Sequence, residues 1–441
     1  MVVSLSIAAG TCLGMVLCVL FFPQCRIGKI TIDTYWPVVL IGAVLEIAFG
    51  QISPGTIWEN LTSSSSVNPL KILVLFLSMT MLSIFLDEVG FFRYLAAKAV
   101  MLGKRSQPRL FFVLFGAVSF LTVFTSNDII ILTFTPFICY FCKHANIDPK
   151  PYLVSEFVAA NTMSMMLIIG NPTNIYIASA NGILFLDYLK TMALPTLTAS
   201  AITLCLLWLL FRKTLSKPMD VGNEEATIEH PALVRLGVIV LLFCTVFLAI
   251  GPYIHIEMWI VALASALFLF VTGLITSAIR RHKPLILLHT LKRAPWPLVP
   301  FLISMFVIVL AISNHGFTDA LGHWIGEESV VFKYGLLSFL FANLMNNIPM
   351  SVLFCPVLSV IGNASAAAAS ATTGAIYATI VGSNLGAYLT PMGALAGIMW
   401  MSMLKKQDVK FGYVDFLKYG SIVSIPALLG CLAVLFLVLP G

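Results

Sequence analysis

Two decapeptides decide the plan of this chain: Asn127-Asp-Ile-Ile-Ile-Leu-Thr-Phe-Thr-Pro136 and Asn347-Ile-Pro-Met-Ser-Val-Leu-Phe-Cys-Pro356. Each places a polar turn nine positions before a proline, inside an apolar run. Thr125-Ser126 precede the first, and Asn343-Leu-Met-Asn346 precede the second. The runs around the first turn, Leu110–Phe124 and Ile129–Ile138, are each short of the roughly 20 helical residues that cross a hydrocarbon core. Each turn is therefore expected to stop partway through the bilayer, as the tip of a re-entrant helical hairpin. Backbone outside a helix is tolerated at that depth only where it is buried in protein or lines a wet cavity.

Working outward, the surroundings of the two turns also recur. Upstream, Leu86-Asp-Glu-Val-Gly-Phe-Phe-Arg-Tyr-Leu95 has a counterpart in Ile312-Ser-Asn-His-Gly-Phe-Thr-Asp-Ala-Leu321, so that Gly90-Phe91 matches Gly316-Phe317. Downstream, Gly170-Asn-Pro-Thr-Asn174 is paired with Gly382-Ser-Asn-Leu-Gly386. Three landmarks in one order mark an internal duplication. The expected division is an N-terminal helix and loop (1–33), a first repeat (34–212), a cytoplasmic linker (213–230) carrying Asp220, Glu224, Glu225 and Glu229, and a second repeat (231–440).

Composition makes lipid the solvent. Of 441 residues, 59% are hydrophobic and 10% charged, and mean hydropathy is +0.99, far from the roughly 25% charged of soluble domains. The spacing of apolar runs predicts an all-α polytopic membrane protein with about ten or eleven transmembrane helices plus the two hairpins. Val2–Phe22 lacks a basic n-region and a cleavage site, and is expected to be a retained span. With both hairpins returning to the side they left, 22 of the 25 lysines and arginines fall on one face and only Lys71, Lys190 and Lys333 on the other. The positive-inside rule then puts the basic face in the cytoplasm of a plasma (inner) membrane protein, with both termini outside. The first repeat starts from the cytoplasmic face and the second from the outer face, so the halves are inverted. Inverted repeats with interrupted helices build transporters, because exchanging the conformations of the halves opens a central site to alternate sides.

The net charge of +6 punctuates apolar runs instead of forming a basic stripe, which argues against nucleic acid as a partner. No HExxH, GxSxG or paired catalytic aspartates occur in a span, so an enzyme is not expected, and no GxxxxGK[ST] loop is present to bind ATP. The nine cysteines lie mostly singly in apolar runs, and the seven histidines form no metal-ligand set. Asp87 and Glu88, near a helix end, are expected to reach water, and Glu156, early in a span, to snorkel.

The polar stretches are the candidate site. At the first hairpin tip stand Ser126, Asn127 and Asp128; an acid inside a membrane segment points to function, though it can also cap the half-helix that follows. At the second stand Asn346 and Asn347, whose amides offer both acceptors and donors but also suit a tight turn. Gly170 and Pro172 interrupt one helix beside Asn171, Thr173 and Asn174. Gly382, Gly386 and Pro391 are expected to interrupt another beside Ser383, Asn384 and Thr390. These residues are expected to converge on one small inorganic or organic solute, with Asp128 exchanging a proton or holding a sodium ion as coupling partner.

The pattern resembles the ion-transporter superfamily of arsenical-pump membrane proteins, sodium/proton antiporters and citrate and dicarboxylate carriers, and looks closest to the arsenical-pump membrane family. The residues that carry the likeness are Leu86–Phe92, Asn127-Asp128, Ala294-Pro-Trp296, Asn346-Asn-Ile-Pro349 and Leu389-Thr-Pro-Met-Gly-Ala-Leu-Ala396. It implies export of trivalent arsenic or antimony hydroxides driven by protons, in some systems with a partner ATPase, by a substrate-carrying unit moving past a scaffold within a homodimer. Asn384 stands where arsenical pumps typically have an acid and Tyr388 where they often have lysine, while Gly170-Asn-Pro-Thr-Asn174 is closer to the form found in carboxylate carriers and antiporters. Citrate or dicarboxylate transport and sodium/proton exchange are the alternatives, followed by a passive channel.

Overall fold

The structure, a computed structural model, describes all residues except 23, 28–29, 64–67, 104–105, 220–227, 229, 280–283, 362–365 and 440–441. Helix α1 (Val2–Phe21) is followed by a small antiparallel hairpin, β1 (Gln24–Ile27) and β2 (Ile30–Asp33), with Gln24 opposite Asp33. The expected loop is thus a β-ribbon, built from β-branched Ile27, Ile30, Thr31 and Ile32, which favour the extended backbone. Helices α2 (Tyr35–Ala48) and α3 (Pro54–Thr62) then lead into the first repeated unit.

That unit runs α4 (Pro69–Glu88), α5 (Phe91–Gly103), α6 (Gln107–Phe124), α7 (Asn127–His144), α8 (Lys150–Met163), two 3-10 turns (Ser164–Met166 and Ile168–Gly170), α9 (Pro172–Ala180) and α10 (Phe185–Leu215). Helices α11 (Pro231–Ile250), α12 (Met258–Ile279) and α13 (Leu285–Arg293) intervene. The order then recurs as α14 (Leu298–Asn314), α15 (Phe317–Ile325), α16 (Val330–Met345), α17 (Asn347–Ile361), α18 (Ala366–Gly386), a 3-10 turn (Pro391–Gly393), α19 (Leu395–Lys406) and α20 (Tyr413–Val438). The acidic part of the expected linker, Asp220, Glu224, Glu225 and Glu229, lies outside the described residues.

Local chemistry sets these boundaries. Proline opens α3, α4 and α9, where its missing N–H costs nothing. The side chains of Ser53, Asn68 and Asn171 accept from the first free amides of those helices, each cap contributing about 1 kcal/mol. Gly90 and Gly316 both take left-handed backbone, at φ +80° and +76°, turning α4 into α5 and α14 into α15. Arg293, just before α14, bonds Asp87 at the end of α4 at 2.7 Å. The pair ties the segment that leads into α14 to the end of α4.

Among the described residues eight stretches are long and apolar enough to cross a membrane. Exposed Ile239, Leu242, Phe243 and Val246 of α11, with Leu267, Phe268, Val271 and Leu274 of α12, are apolar side chains suited to lipid. The arms of the first hairpin are longer than expected, 18 residues each, or about 27 Å. Their tip still stops inside the protein. Thr125 and Ser126 share a narrow cavity with Phe76, Met79, Thr80 and Ser83, the middle of the 20-residue α4.

Candidate functional site

The two interrupted helices meet at the centre of the molecule, and Asn384 ties them together. Its Oδ1 accepts from Ser164 Oγ and Asn171 Nδ2, both at 3.0 Å, and its Nδ2 donates to Asn174 Oδ1 at 2.6 Å and to the Ile380 carbonyl at 2.8 Å. All four hydrogen-bonding places of the amide are filled. Asn174 Nδ2 in turn donates to the carbonyls of Ser164 and Leu167, holding the unwound backbone in shape. Thr173 donates through both N–H and hydroxyl to Asn171 Oδ1. A further contact crosses the repeats, from Thr162 Oγ1 to Tyr388 Oη at 3.2 Å.

Each hairpin tip is fastened at or just before the interruption of its own repeat. Asn127 Nδ2 donates to Asn161 Oδ1 at 3.0 Å, with the Ser126 hydroxyl 3.5 Å from Asn127 Oδ1. In the second repeat Asn346 Nδ2 donates to the Met392 carbonyl at 3.0 Å, and Asn343 accepts from the Thr390 hydroxyl and N–H while donating to the Gly386 carbonyl. Asn346 sits at φ +76°, ψ 152°, a conformation that costs a non-glycine residue about 1–3 kcal/mol. Its side-chain bond holds it there.

The structure thus joins Ser126, Asn127, Asn171, Thr173, Asn174 and Asn384 in one network, and Asn346 and Thr390 in a second that adjoins it along α18. Ser383 is buried beside Asn384 with its hydroxyl unpartnered among the described residues. Asn347 opens α17, buried, with no side-chain hydrogen bond among the described residues. Asp128 occupies the first turn of α7, half-buried, facing Tyr35 of α2 and taking no hydrogen bond or ion pair among the described residues.

Four expectations change. Gly382 does not interrupt α18, which runs unbroken to Gly386; a Cβ there would strike Ser338 and the Gly335 carbonyl, so this glycine lets α16 and α18 pack closely. The second interruption spans residues 387–394, eight positions like 164–171 in the first. In that register Gly170 corresponds to Gly393 and Asn161 to Asn384. A Cβ on Gly170 would meet the Ser164 carbonyl, and one on Gly393 the Gly386 carbonyl. The sequence pairing of Gly170 with Gly382 is therefore off by eleven residues. Asp87 is 6% exposed, bonded to Arg293 and to the Thr133 hydroxyl, and does not reach water freely. Glu156 is 1% exposed and does not snorkel.

Asn161, Ser164 and Asn343 belong to the site and were not singled out as ligand groups. A signal was present: Asn343 stands three positions before Asn346, and Asn161 and Ser164 are polar residues in the apolar run that leads into Gly170 and Asn171. The chemistry of the networks is uniform, since amides, hydroxyls and carbonyls supply every donor and acceptor named, with no charged side chain among them.

The chain matches the family model described as CitMHS, citrate transporter, over residues 5–382. It is 28% identical over 415 residues to an arsenical pump membrane protein of Escherichia coli (strain K12), covering 90% of this chain and 92% of the relative. It is 29% identical over 377 residues to an arsenical pump membrane protein of Yersinia enterocolitica, covering 82% and 85%. Its fold is similar to that of the YdaH transporter of Alcanivorax borkumensis, with a TM-score of 0.56 at 16% identity over 98% of this chain and 97% of that one.

Proposed function

The chain belongs to the CitMHS citrate transporter family and is a multi-pass membrane transporter; we propose that it exports trivalent arsenic or antimony hydroxides in exchange for protons. The observation that carries this reading is the neutrality of the central network. A trivalent arsenic hydroxide is uncharged at neutral pH and presents hydroxyls, which amides and hydroxyls such as Asn171, Asn174, Asn384 and Thr390 can both donate to and accept from. The names of the relatives in Escherichia coli and Yersinia enterocolitica agree with it.

In this reading the halves 34–212 and 231–440 exchange conformations around the network, and the solute replaces the bonds Asn384 makes to Asn171 and Asn174. Asp128, without a partner of its own, carries the coupling proton. The basic loops face the cytoplasm and both termini lie outside. Uptake of labelled arsenite into everted membrane vesicles, with and without a proton gradient, tests it. Gradient-driven uptake is expected in the parent and not in Asp128→Asn; no arsenite uptake by folded protein rejects the substrate.

One observation favours a second reading, an organic anion. A cavity of about 1080 Å³ that reaches Pro391 and Met392 of the second interruption is lined by Lys150, Lys405 and Lys410 against Asp408 and Asp415, with Asp415 3.7 Å from Lys150, and an excess of positive charge in a cleft concentrates anions. The same vesicles supplied with labelled citrate or a dicarboxylate decide between the two.

A further inference from the structure

Glu156 is a buried acid that this transport cycle has not used. It lies on α8, six residues past Lys150, and its two carboxyl oxygens share one hydroxyl, Thr135 Oγ1 of α7, at 3.0 Å from each. The indole N–H of Trp400, on α19, lies beside the same carboxyl without closing a hydrogen bond, and has no other partner among the described residues. No lysine, arginine or histidine among the described residues stands within ion-pair distance of it. The titratable group facing it is the Cys139 thiol of α7, one turn beyond Thr135. Helices α6, α10 and α18, which also pack on α8, bring no charged side chain to it.

A carboxylate has about four acceptor places, and among the described residues the Thr135 hydroxyl alone closes a hydrogen bond to this one. Burying an unpaired ion costs several kcal/mol. The neutral acid fits the same geometry without that cost, with its O–H donating to the Thr135 oxygen. What the site holds in reserve is a donor for the anion, the idle N–H of Trp400. Trp400 is 1% exposed: its indole packs on Phe157 and Phe411, with centroids at 4.8 and 5.2 Å, and Phe411 lines the lysine-bearing cavity. Two rings, Trp400 and Phe411, stand between the acid and that cavity, and the aromatic packing joins both halves, Phe157 from α8 and Trp400 from α19.

We propose that Glu156 is a second proton-binding group of the transport cycle, releasing its proton to the cavity beside α19 as Trp400 turns its N–H onto the carboxylate. The O–H bond of the acid breaks, the proton passes to cavity water, and the anion left behind accepts from Trp400 and Thr135. Reprotonation precedes the return of α19. The proposal rests on the proton-coupled reading above.

The test uses purified protein in proteoliposomes and three readouts: labelled arsenite counterflow without a gradient, accumulation driven by a pH gradient, and an infrared pH titration of buried carboxylic-acid bands. Glu156→Gln is expected to retain measurable counterflow, to lose gradient-driven accumulation by about tenfold or more, and to lack one titrating band that Asp128→Asn keeps. Accumulation preserved in Glu156→Gln overturns the proposal. Where counterflow is lost as well, the band decides: a titrating band present in the parent and absent from the variant upholds the role, and no such band overturns it. A parent that exchanges no arsenite defeats the substrate reading instead, and the infrared result then judges Glu156 alone. Trp400→Phe keeps the ring but removes the donor, and should move the band's titration to higher pH; an unmoved titration assigns Trp400 to packing and defeats its part in the release.

Discussion

Asn384 shows how much one amide can do in a dry interior. Three of its four bonds join α18 to Ser164, Asn171 and Asn174, and no smaller polar side chain could both accept twice and donate twice. Asn384→Ala strands Ser164, Asn171 and Asn174 at once, and each buried group left unsatisfied costs about 1–3 kcal/mol. Thermal melting in detergent should fall clearly and counterflow should vanish. Asn384→Asp is more instructive. The carboxylate still accepts from Ser164 and Asn171 but has nothing to donate to Asn174 Oδ1 or the Ile380 carbonyl. Only its protonated form restores a donor, so stability and exchange in this variant should improve as pH falls, while the parent shows no such gain between the same limits. Asn174 and Asn384 were both legible in the sequence as polar residues in apolar surroundings. Their bond was not, because they stand 210 positions apart.

At the scale of elements, the two interruptions are built alike from unlike sequences. Ser164–Asn171 and Ala387–Ala394 share little beyond the glycine near their ends, yet Gly170 and Gly393 each lie against the carbonyl at the close of the preceding half-helix. Backbone cannot give way as a flexible side chain can, so Gly170→Ala and Gly393→Ala should each cost about 1–3 kcal/mol, in the range of overpacked cores, and both should reduce transport. Gly382→Ala should lower the melting temperature through the α16–α18 contact. Equal and complete loss of transport in Gly382→Ala with an unchanged melt would contradict its assignment to packing. The hairpins were readable for a different reason. Asn127 and Asn347 open α7 and α17, and Pro136 and Pro356 lie inside those helices at the same distance, a local pattern that needs no tertiary knowledge.

Across the whole molecule, ion pairs of unequal weight join parts far apart in sequence. Lys71 bonds Glu257 at 2.8 Å with side chains 24% and 54% exposed. The Lys71 ammonium, donating to Glu257, holds that carboxyl below the ordinary range. Its stabilisation is present at neutral pH and fades as pH falls through the lowered value, and for so exposed a pair Glu257→Gln should change stability by less than about 1 kcal/mol. Arg293 is another matter. Removing it leaves Asp87 buried and short of its cation, so Arg293→Ala should cost about 3–5 kcal/mol. Chemical or thermal melts of the two variants side by side check the contrast, and equal effects would refute it.

The sequence by itself determined that this protein lives in lipid, that two hairpins and two interrupted helices recur in one order, and which polar residues sit in apolar runs. Hydropathy, proline and glycine act over a few residues, so they are written in the chain. Only the tertiary structure decided which of those residues meet: Asn384 with Asn171 and Asn174, Gly170 in register with Gly393, Glu156 buried against Thr135 and Trp400 instead of reaching for water. Partners more than two hundred positions apart are chosen by how the two halves of the chain pack, and packing depends on all the helices together.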